Sequence, residues 1–335
     1  MPDLAADELI RRTLAGERVP LARALSWVEN EHPHASALLD ACFGRTGRAF
    51  RLGVTGPPGA GKSTLVTQLA KEYRARGETV AVVAVDPTSP FSGGALLGDR
   101  VRMHELSGDD GVFIRSMATR GSMGGLAVHT AQACDVLDAA GFDRILIETV
   151  GVGQSELEVA QTADSTAVVL VPESGDAVQA MKAGLMEIAD LFVINKSDRE
   201  GADRAAQAIR SALHLRARTS EWTIPVMLTA ASLGRGVPEL VQAFERHLEW
   251  LTETGTLAGR RRQRLEQTLE VLVRERLWED FRSQVPEGAW REALATLAER
   301  RETPNRLSER LVRGTHRSAA TGGPRQPQAA KNPAD

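Results

Sequence analysis

The chain has 335 residues, 42% hydrophobic and 25% charged, with a formal net charge of −3, which suits a soluble globular protein with apolar material for a sizeable core. The near-neutral charge argues against a general nucleic-acid or membrane-surface binder, and no stretch approaches the ~20 apolar residues of a membrane span. The acidic start MPDLAADELI lacks a secretory pattern, and Cys42 and Cys134 stand far apart without a CxxC, so a cytoplasmic protein with neither disulfide framework nor thiolate zinc site is expected.

Residues 3–45 read as helical, because Leu9, Ile10, Leu14, Leu21, Ala24, Leu25 and Val28 recur at helical intervals. A break at Gly44–Gly47 leads into the apolar run Phe50–Val54. Residues 56–63 then read GPPGAGKS, matching GxxxxGK[ST], and a helical stretch, Leu65–Tyr73, follows. In such a loop Gly56, Gly59 and Gly61 let the backbone curl so that successive N–H groups, Ala60 among them, point at phosphate oxygens. The following helix adds its positive dipole end. Lys62 is expected at the β- and γ-phosphates, the Ser63 hydroxyl on magnesium and Thr64 at the α-phosphate.

Further short Val/Ile-rich runs follow at Val80–Val85, Val112–Ile114, Ile145–Ile147, Ala167–Val171, Leu191–Ile194 and Ile224–Leu228. Strand-like runs alternating with helical segments predict an α/β phosphate-loop NTPase: a mainly parallel sheet covered by helices, with N-terminal and C-terminal helical extensions. Ligands in such sheets bind at the carboxyl ends of the strands, and the polar motifs fall there.

Asp86 ends one strand and Glu148 another. Acids at these places hold magnesium directly or through water; the competing reading is a helix cap or turn. Glu148-Thr149-Val150-Gly151 occupies the place of a DxxG switch, with the Gly151 N–H available to the γ-phosphate. Val152 stands where many small GTPases carry a water-positioning Gln, and Gln154 lies further on, which predicts slow intrinsic hydrolysis. Residues 92–102 and 115–125 are glycine-rich and switch-like. Their Asp99, Arg100, Arg102, Arg115 and Arg120 either meet phosphate, magnesium or a partner, or are solvated loop charge.

Asn195-Lys196-Ser197-Asp198 follows the run Leu191–Ile194 as an NKxD motif. Its Asp accepts from guanine N1–H and the 2-amino group, and adenine would leave that carboxylate unpaired. Lys196 is expected along the base plane. After the last strand, Thr229-Ala230-Ala231-Ser232 is a small-residue loop of the kind whose backbone N–H contacts guanine O6; Ala231 and Ser232 are the candidates.

Strand signals stop near residue 256. Leu265, Leu269, Leu272, Leu277 and Phe281 fit one long amphipathic helix, with further helices at Ala289–Leu297 and near Leu307–Leu311. Arg260, Arg261, Arg262 and Arg264 are either the solvated start of the long helix or a dock for an acidic partner. Residues 314–335 hold almost no large apolar side chain and are expected to be disordered. The predicted organisation is an N-terminal helical extension (1–47), a GTPase domain (48–253), a C-terminal helical arm (254–313) and the tail.

The stretches LAGERVPLARALSWVEN, GVTGPPGAGKSTL, VDPTSPFSGGALLGDRVRM, ETVGVGQSE, MKAGLMEIAD and NKSD resemble the MeaB/ArgK family. The resemblance runs from about Leu14 to Gly236. It implies a GTPase that chaperones an adenosylcobalamin-dependent acyl-CoA mutase, gating cofactor delivery and helping to replace damaged cofactor. It also implies bound GTP or GDP with Mg2+, a homodimer formed through the C-terminal arm, and a cobalamin adenosyltransferase among the partners. The family's phosphate-loop residues fall on Lys62 and Ser63, its acidic metal and switch residues on Asp86, Asp99 and Glu148, and its base readers on Asn195 and Asp198. A further switch loop falls on Pro172–Ala183, with Asp176 and Lys182 at the polar positions; Lys182 is the expected partner-responsive catalytic group. The nearest alternative is a nickel-type metal-insertion GTPase on the same core.

Overall fold

A computed structural model describes residues 5–86, 104–106, 108–118, 125–149, 155–172, 184–215 and 221–321. Among these residues the strands are β1 (Phe50–Thr55), β2 (Val80–Asp86), β3 (Val112–Ala118), β4 (Arg144–Thr149), β5 (Ser165–Leu170), β6 (Leu191–Ile194) and β7 (Val226–Leu228). They form one parallel sheet in the order β3-β2-β4-β1-β5-β6-β7. The predicted strands are all present. β3 runs four residues past Ile114, so 115–118 are strand and not switch loop: Met117 is buried, and Arg115 reaches sideways to Glu29 and Ser26. β7 is shorter than the apolar run because Pro225, which has no N–H to give the ladder, stands just before it.

The helices are α1 (Ala6–Leu14), α2 (Arg18–Glu29), α3 (Ala35–Phe43), α4 (Lys62–Ala75), α5 (Gly125–Ala139), α6 (Ser155–Thr162), α7 (Leu185–Ile188), α8 (Ala202–Leu215), α9 (Val237–Glu253), α10 (Thr256–Gln284), α11 (Glu287–Ala298) and α12 (Pro304–Thr321). Side chains alternate between the two faces of a strand, and the cores follow that alternation. Leu52, Val54, Val82, Leu146, Val169 and Val193 face α4 and α9. Ala81, Val83, Ile145 and Ile147 face α5, and α1–α3 join the same cluster through Leu9, Leu21, Leu25, Val28, Leu38 and Cys42. The N-terminal helices therefore share the sheet's core. None of the described helices is long and apolar enough to cross a membrane.

The chain divides into two compact units, Met1–Glu266 and Gln267–Asp335. Three of the four arginines at the start of α10 turn inward within the first unit. Arg261 and Arg264 converge on Asp164, each with a 2.8 Å contact. Arg260 pairs with Asp190 at 2.8 Å. Arg261 also donates to the Ala49 carbonyl, and Asp164 accepts the Arg51 N–H at 3.1 Å. Asp164 precedes β5, Asp190 precedes β6 and Ala49 precedes β1, so the clamp lies at the amino ends of the strands. Arg262 stays exposed. Burial alone would raise the Asp164 carboxyl, but Arg264, Arg261 and Arg51 outweigh it and hold it below the usual carboxylate range.

In the second unit Trp278 meets Phe281 at 5.6 Å and Trp290 at 6.0 Å, with Arg282 over the Trp290 ring. Leu269, Leu277 and Trp278 remain more than half exposed. α12 continues to Thr321, so residues 314–321 are helical where composition predicts no structure.

Candidate nucleotide site

β1 delivers the chain to Gly56, and α4 begins at Lys62. The loop between them depends on glycine at two places. Gly56 has φ +136°, and a Cβ there would lie 2.1 Å from the Val169 carbonyl oxygen of the neighbouring strand. Gly61 has φ +86°, and a Cβ there would lie 2.5 Å from Asn195 Nδ2. Backbone-to-backbone and backbone-to-amide approaches this close exclude any side chain.

Lys62 folds back over the loop and donates to the Gly56 and Pro57 carbonyls at 2.8 and 3.0 Å. Ser63, at the next position, donates to Glu148 Oε1 at 2.6 Å. Both side chains are buried, as is Glu148, while Thr64 faces solvent. Glu148 sits one residue from the end of β4, level with Val54 of β1 and Ala84 of β2. Asp86 closes β2 beyond that level, at the carboxyl end of the strand beside β4. The phosphate loop and the two acidic strand ends thus lie along the carboxyl end of the sheet, but β4 stands between β1 and β2, so Asp86 is not on the strand next to the phosphate loop.

The second half of the site hangs on Asn195, which is almost wholly buried. Its Nδ2 donates to the Ala60 carbonyl at 2.8 Å. Its Oδ1 accepts from Thr229 Oγ1 and from the Ala231 N–H, both at 3.1 Å. One carboxamide therefore joins the phosphate loop, the NKxD loop and the loop after β7. Lys196 takes a left-handed φ of +56°, uncommon for a residue with a Cβ, and this turns the chain so that Asp198 emerges exposed beyond it. Thr229 was not among the sequence-derived candidates. A lone threonine after a strand carries no pattern, and only its hydrogen bond to Asn195 marks it.

Arg115, one of the arginines in the switch-like segments, lies away from this site in an ion pair with Glu29. Gly151, Asp99, Asp176, Lys182, Arg100, Arg102 and Arg120 lie outside the described residues.

Comparison with known proteins bears on the same residues. The sequence profile of the family described as methylmalonyl Co-A mutase-associated GTPase MeaB matches residues 21–285. A Pyrococcus abyssi relative is 46% identical over 92% of this chain and 96% of its own length. The GTPase ArgK of Escherichia coli is 42% identical over 76% of this chain and 80% of its own. The mouse methylmalonic aciduria type A homolog, a mitochondrial protein, is 37% identical over 83% of this chain and 71% of its own. Among solved structures, a LAO/AO transport system kinase superposes with a TM-score of 0.69 at 32% identity, covering 94% of this chain and 99% of that one. A profile match through both halves of the site, with relatives aligned over most of their length, establishes that this chain belongs to the MeaB family of methylmalonyl Co-A mutase-associated GTPases.

Proposed function

We propose that this GTPase chaperones an adenosylcobalamin-dependent acyl-CoA mutase, gating cofactor loading and protecting or reactivating the mutase. One observation supports it most: the Ser63–Glu148 hydrogen bond of 2.6 Å joins the phosphate loop directly to the head of the DxxG-like segment. Whatever takes Ser63 must change the setting of Glu148, so nucleotide occupancy is felt where a switch begins. The family match does not favour the metal-insertion alternative.

In this reading Lys62 leaves its own loop carbonyls for the β- and γ-phosphates. The N–H groups of Gly59, Ala60, Gly61, Lys62, Ser63 and Thr64 line the phosphates, and the Gly151 N–H meets the γ-phosphate. Ser63 and Glu148 present a hydroxyl and a carboxylate side by side, which are hard oxygen donors that suit Mg2+; Asp86 and Asp99 complete its surroundings. When bound, that ion neutralises charge on the phosphates. Asp198 reads guanine N1–H and the 2-amino group, Lys196 covers the base, and the N–H groups of Ala231 and Ser232 face O6. The Ala231 N–H is held by Asn195 Oδ1, which leaves Ser232 the freer donor.

Hydrolysis is slow alone because Val152 follows Gly151. The mutase accelerates it by ordering the loop Pro172–Ala183, with Asp176 and Lys182. The exposed apolar side chains Leu269, Leu277 and Trp278 of the second unit are covered by a second copy in a homodimer. A cobalamin adenosyltransferase is a further partner, and the cytoplasm is the expected setting. Affinity purification of the full chain loaded with a non-hydrolysable GTP analogue tests the client. Retention of an acyl-CoA mutase supports the reading, and retention of none from cells that express one contradicts it.

A further inference from the structure

Strand β4 is held at its carboxyl end from both faces. On the α4 face Glu148 accepts from Ser63. On the opposite face the next residue, Thr149, shares a hydrogen bond with Thr55, Oγ1 to Oγ1 at 3.1 Å. Both threonines are fully buried. Thr55 is the last residue of β1 before Gly56, and Thr149 is the last residue of β4 before the Val150–Gly151 segment. The register that sets Val54 against Glu148 brings these two hydroxyls side by side one step further on.

The two contacts have different fates in a nucleotide cycle. Ser63 and Glu148 both carry oxygens that a nucleotide-bound Mg2+ would engage, so their mutual hydrogen bond is exchangeable. The Thr55–Thr149 bond lies on the face of the sheet opposite Ser63 and Glu148, and among the described residues neither hydroxyl shows another hydrogen bond. Buried hydroxyls without an alternative partner hold their bond.

We propose that Thr55 and Thr149 are a positioning pair for GTP hydrolysis. Their bond fixes the end of β4 against the start of the phosphate loop. Glu148 is thereby presented at a constant height beside Ser63 while its own partner changes, and any conformational change starts after Thr149. Neither hydroxyl touches the nucleotide; both act through Glu148. The inference rests on the GTPase reading of the site.

Valine has nearly the shape of threonine, so Thr149→Val, Thr55→Val and the double variant remove the hydroxyls while keeping the packing. The full chain is assayed for GTP turnover at saturating Mg2+, for GDP affinity and for thermal unfolding. Each single variant is expected to lower kcat about tenfold, the effect of losing one buried hydrogen bond from the transition-state arrangement. GDP affinity is expected to stay within about threefold, since phosphate and base contacts are untouched. Thr149→Ser keeps the hydroxyl and should restore turnover. The double variant leaves no orphaned hydroxyl and should regain stability, yet stay as slow as either single one. Recovery of turnover together with stability in the double variant would show a merely structural pair and overturn the proposal. So would unchanged kcat in a folded single variant, or a serine variant as slow as valine. If a single valine variant does not fold, the double and serine variants decide alone. Wild-type chain that releases no phosphate from GTP, alone or with a mutase present, would instead remove the GTPase reading.

Discussion

The side-chain amide of Asn195 donates to the Ala60 carbonyl across 2.8 Å, so the NKxD loop is tied directly to the GPPGAGKS loop. Its oxygen takes the Thr229 hydroxyl and the Ala231 N–H at the same time. Asn195→Ala would leave three buried polar groups without their partner, each costing about 1–3 kcal/mol. Calorimetry should therefore show GTP and GDP affinities falling together by about a hundredfold, with a lower melting temperature. A loss confined to GTP would mean that Asn195 serves the γ-phosphate side instead of the scaffold.

Base choice is expected to rest on Asp198, which emerges exposed beyond the left-handed Lys196. Asp198→Asn should weaken GTP by about a hundredfold or more and favour xanthosine nucleotides, because an amide can donate to the xanthine 2-oxo group that a carboxylate repels. Competition between GTP and XTP for one labelled nucleotide measures the exchange. Unchanged GTP affinity would remove Asp198 from the base site. Lys62→Ala should weaken GTP and XTP alike, leaving base preference unchanged.

The arginine clamp at the start of α10 makes a stability prediction. Asp164 is fully buried between Arg261 and Arg264. Asp164→Ala leaves both guanidinium groups without their carboxylate, a change that costs about 3–5 kcal/mol in buried pairs. Urea unfolding followed by circular dichroism should show that loss. Asp164→Asn, which keeps one acceptor, should lose less. A loss below about 1 kcal/mol, the range of surface pairs, would show that solvent compensates the clamp.

Acid should weaken the fold through His247. The ring is buried between Ser165, Asp190, Trp222 and Trp250, with Nδ1 2.7 Å from Ser165 Oγ. Burial pushes its pKa down to about 4; Asp190 opposes the shift and Arg260 adds to it. The unfolded ring protonates near pH 6.5, so its stabilising share is whole above that value and is lost as pH falls toward 4. The loss amounts to roughly 3 kcal/mol over that window. His247→Gln should flatten the profile between pH 6.5 and 4, and an equally steep variant would assign the acid sensitivity elsewhere. Asp164 adds a second loss at still lower pH, because its folded pKa lies below the unfolded one.

The parts of this site visible in the sequence are those with fixed local spacing. GPPGAGKS and NKSD each compress their chemistry into a few consecutive residues, and the short Val/Ile runs around them mark the strands that carry them. The parts that were hidden join distant segments. Arg260, Arg261 and Arg264 look like a solvated helix start because their carboxylates, Asp164 and Asp190, come seventy or more residues earlier. Thr55 and Thr149 look like ordinary strand residues until β4 is set beside β1. Arg115 reads as loop charge because glycine-rich sequence follows it, yet the alternation through Met117 carries β3 onward and leaves Arg115 to Glu29. Parallel pairing brings together residues far apart in sequence, and no local pattern encodes which pairs will meet.

Coupling of nucleotide turnover at Lys62, Ser63 and Glu148 to an acyl-CoA mutase, as proposed, is measured as phosphate release from GTP by the full chain, alone and with increasing amounts of an adenosylcobalamin-dependent mutase. Slow release alone, rising roughly a hundredfold at saturating mutase as about 3 kcal/mol of transition-state charge stabilisation is supplied, is the expected result. Rapid turnover by the isolated chain, unchanged by the mutase at any concentration, would contradict it.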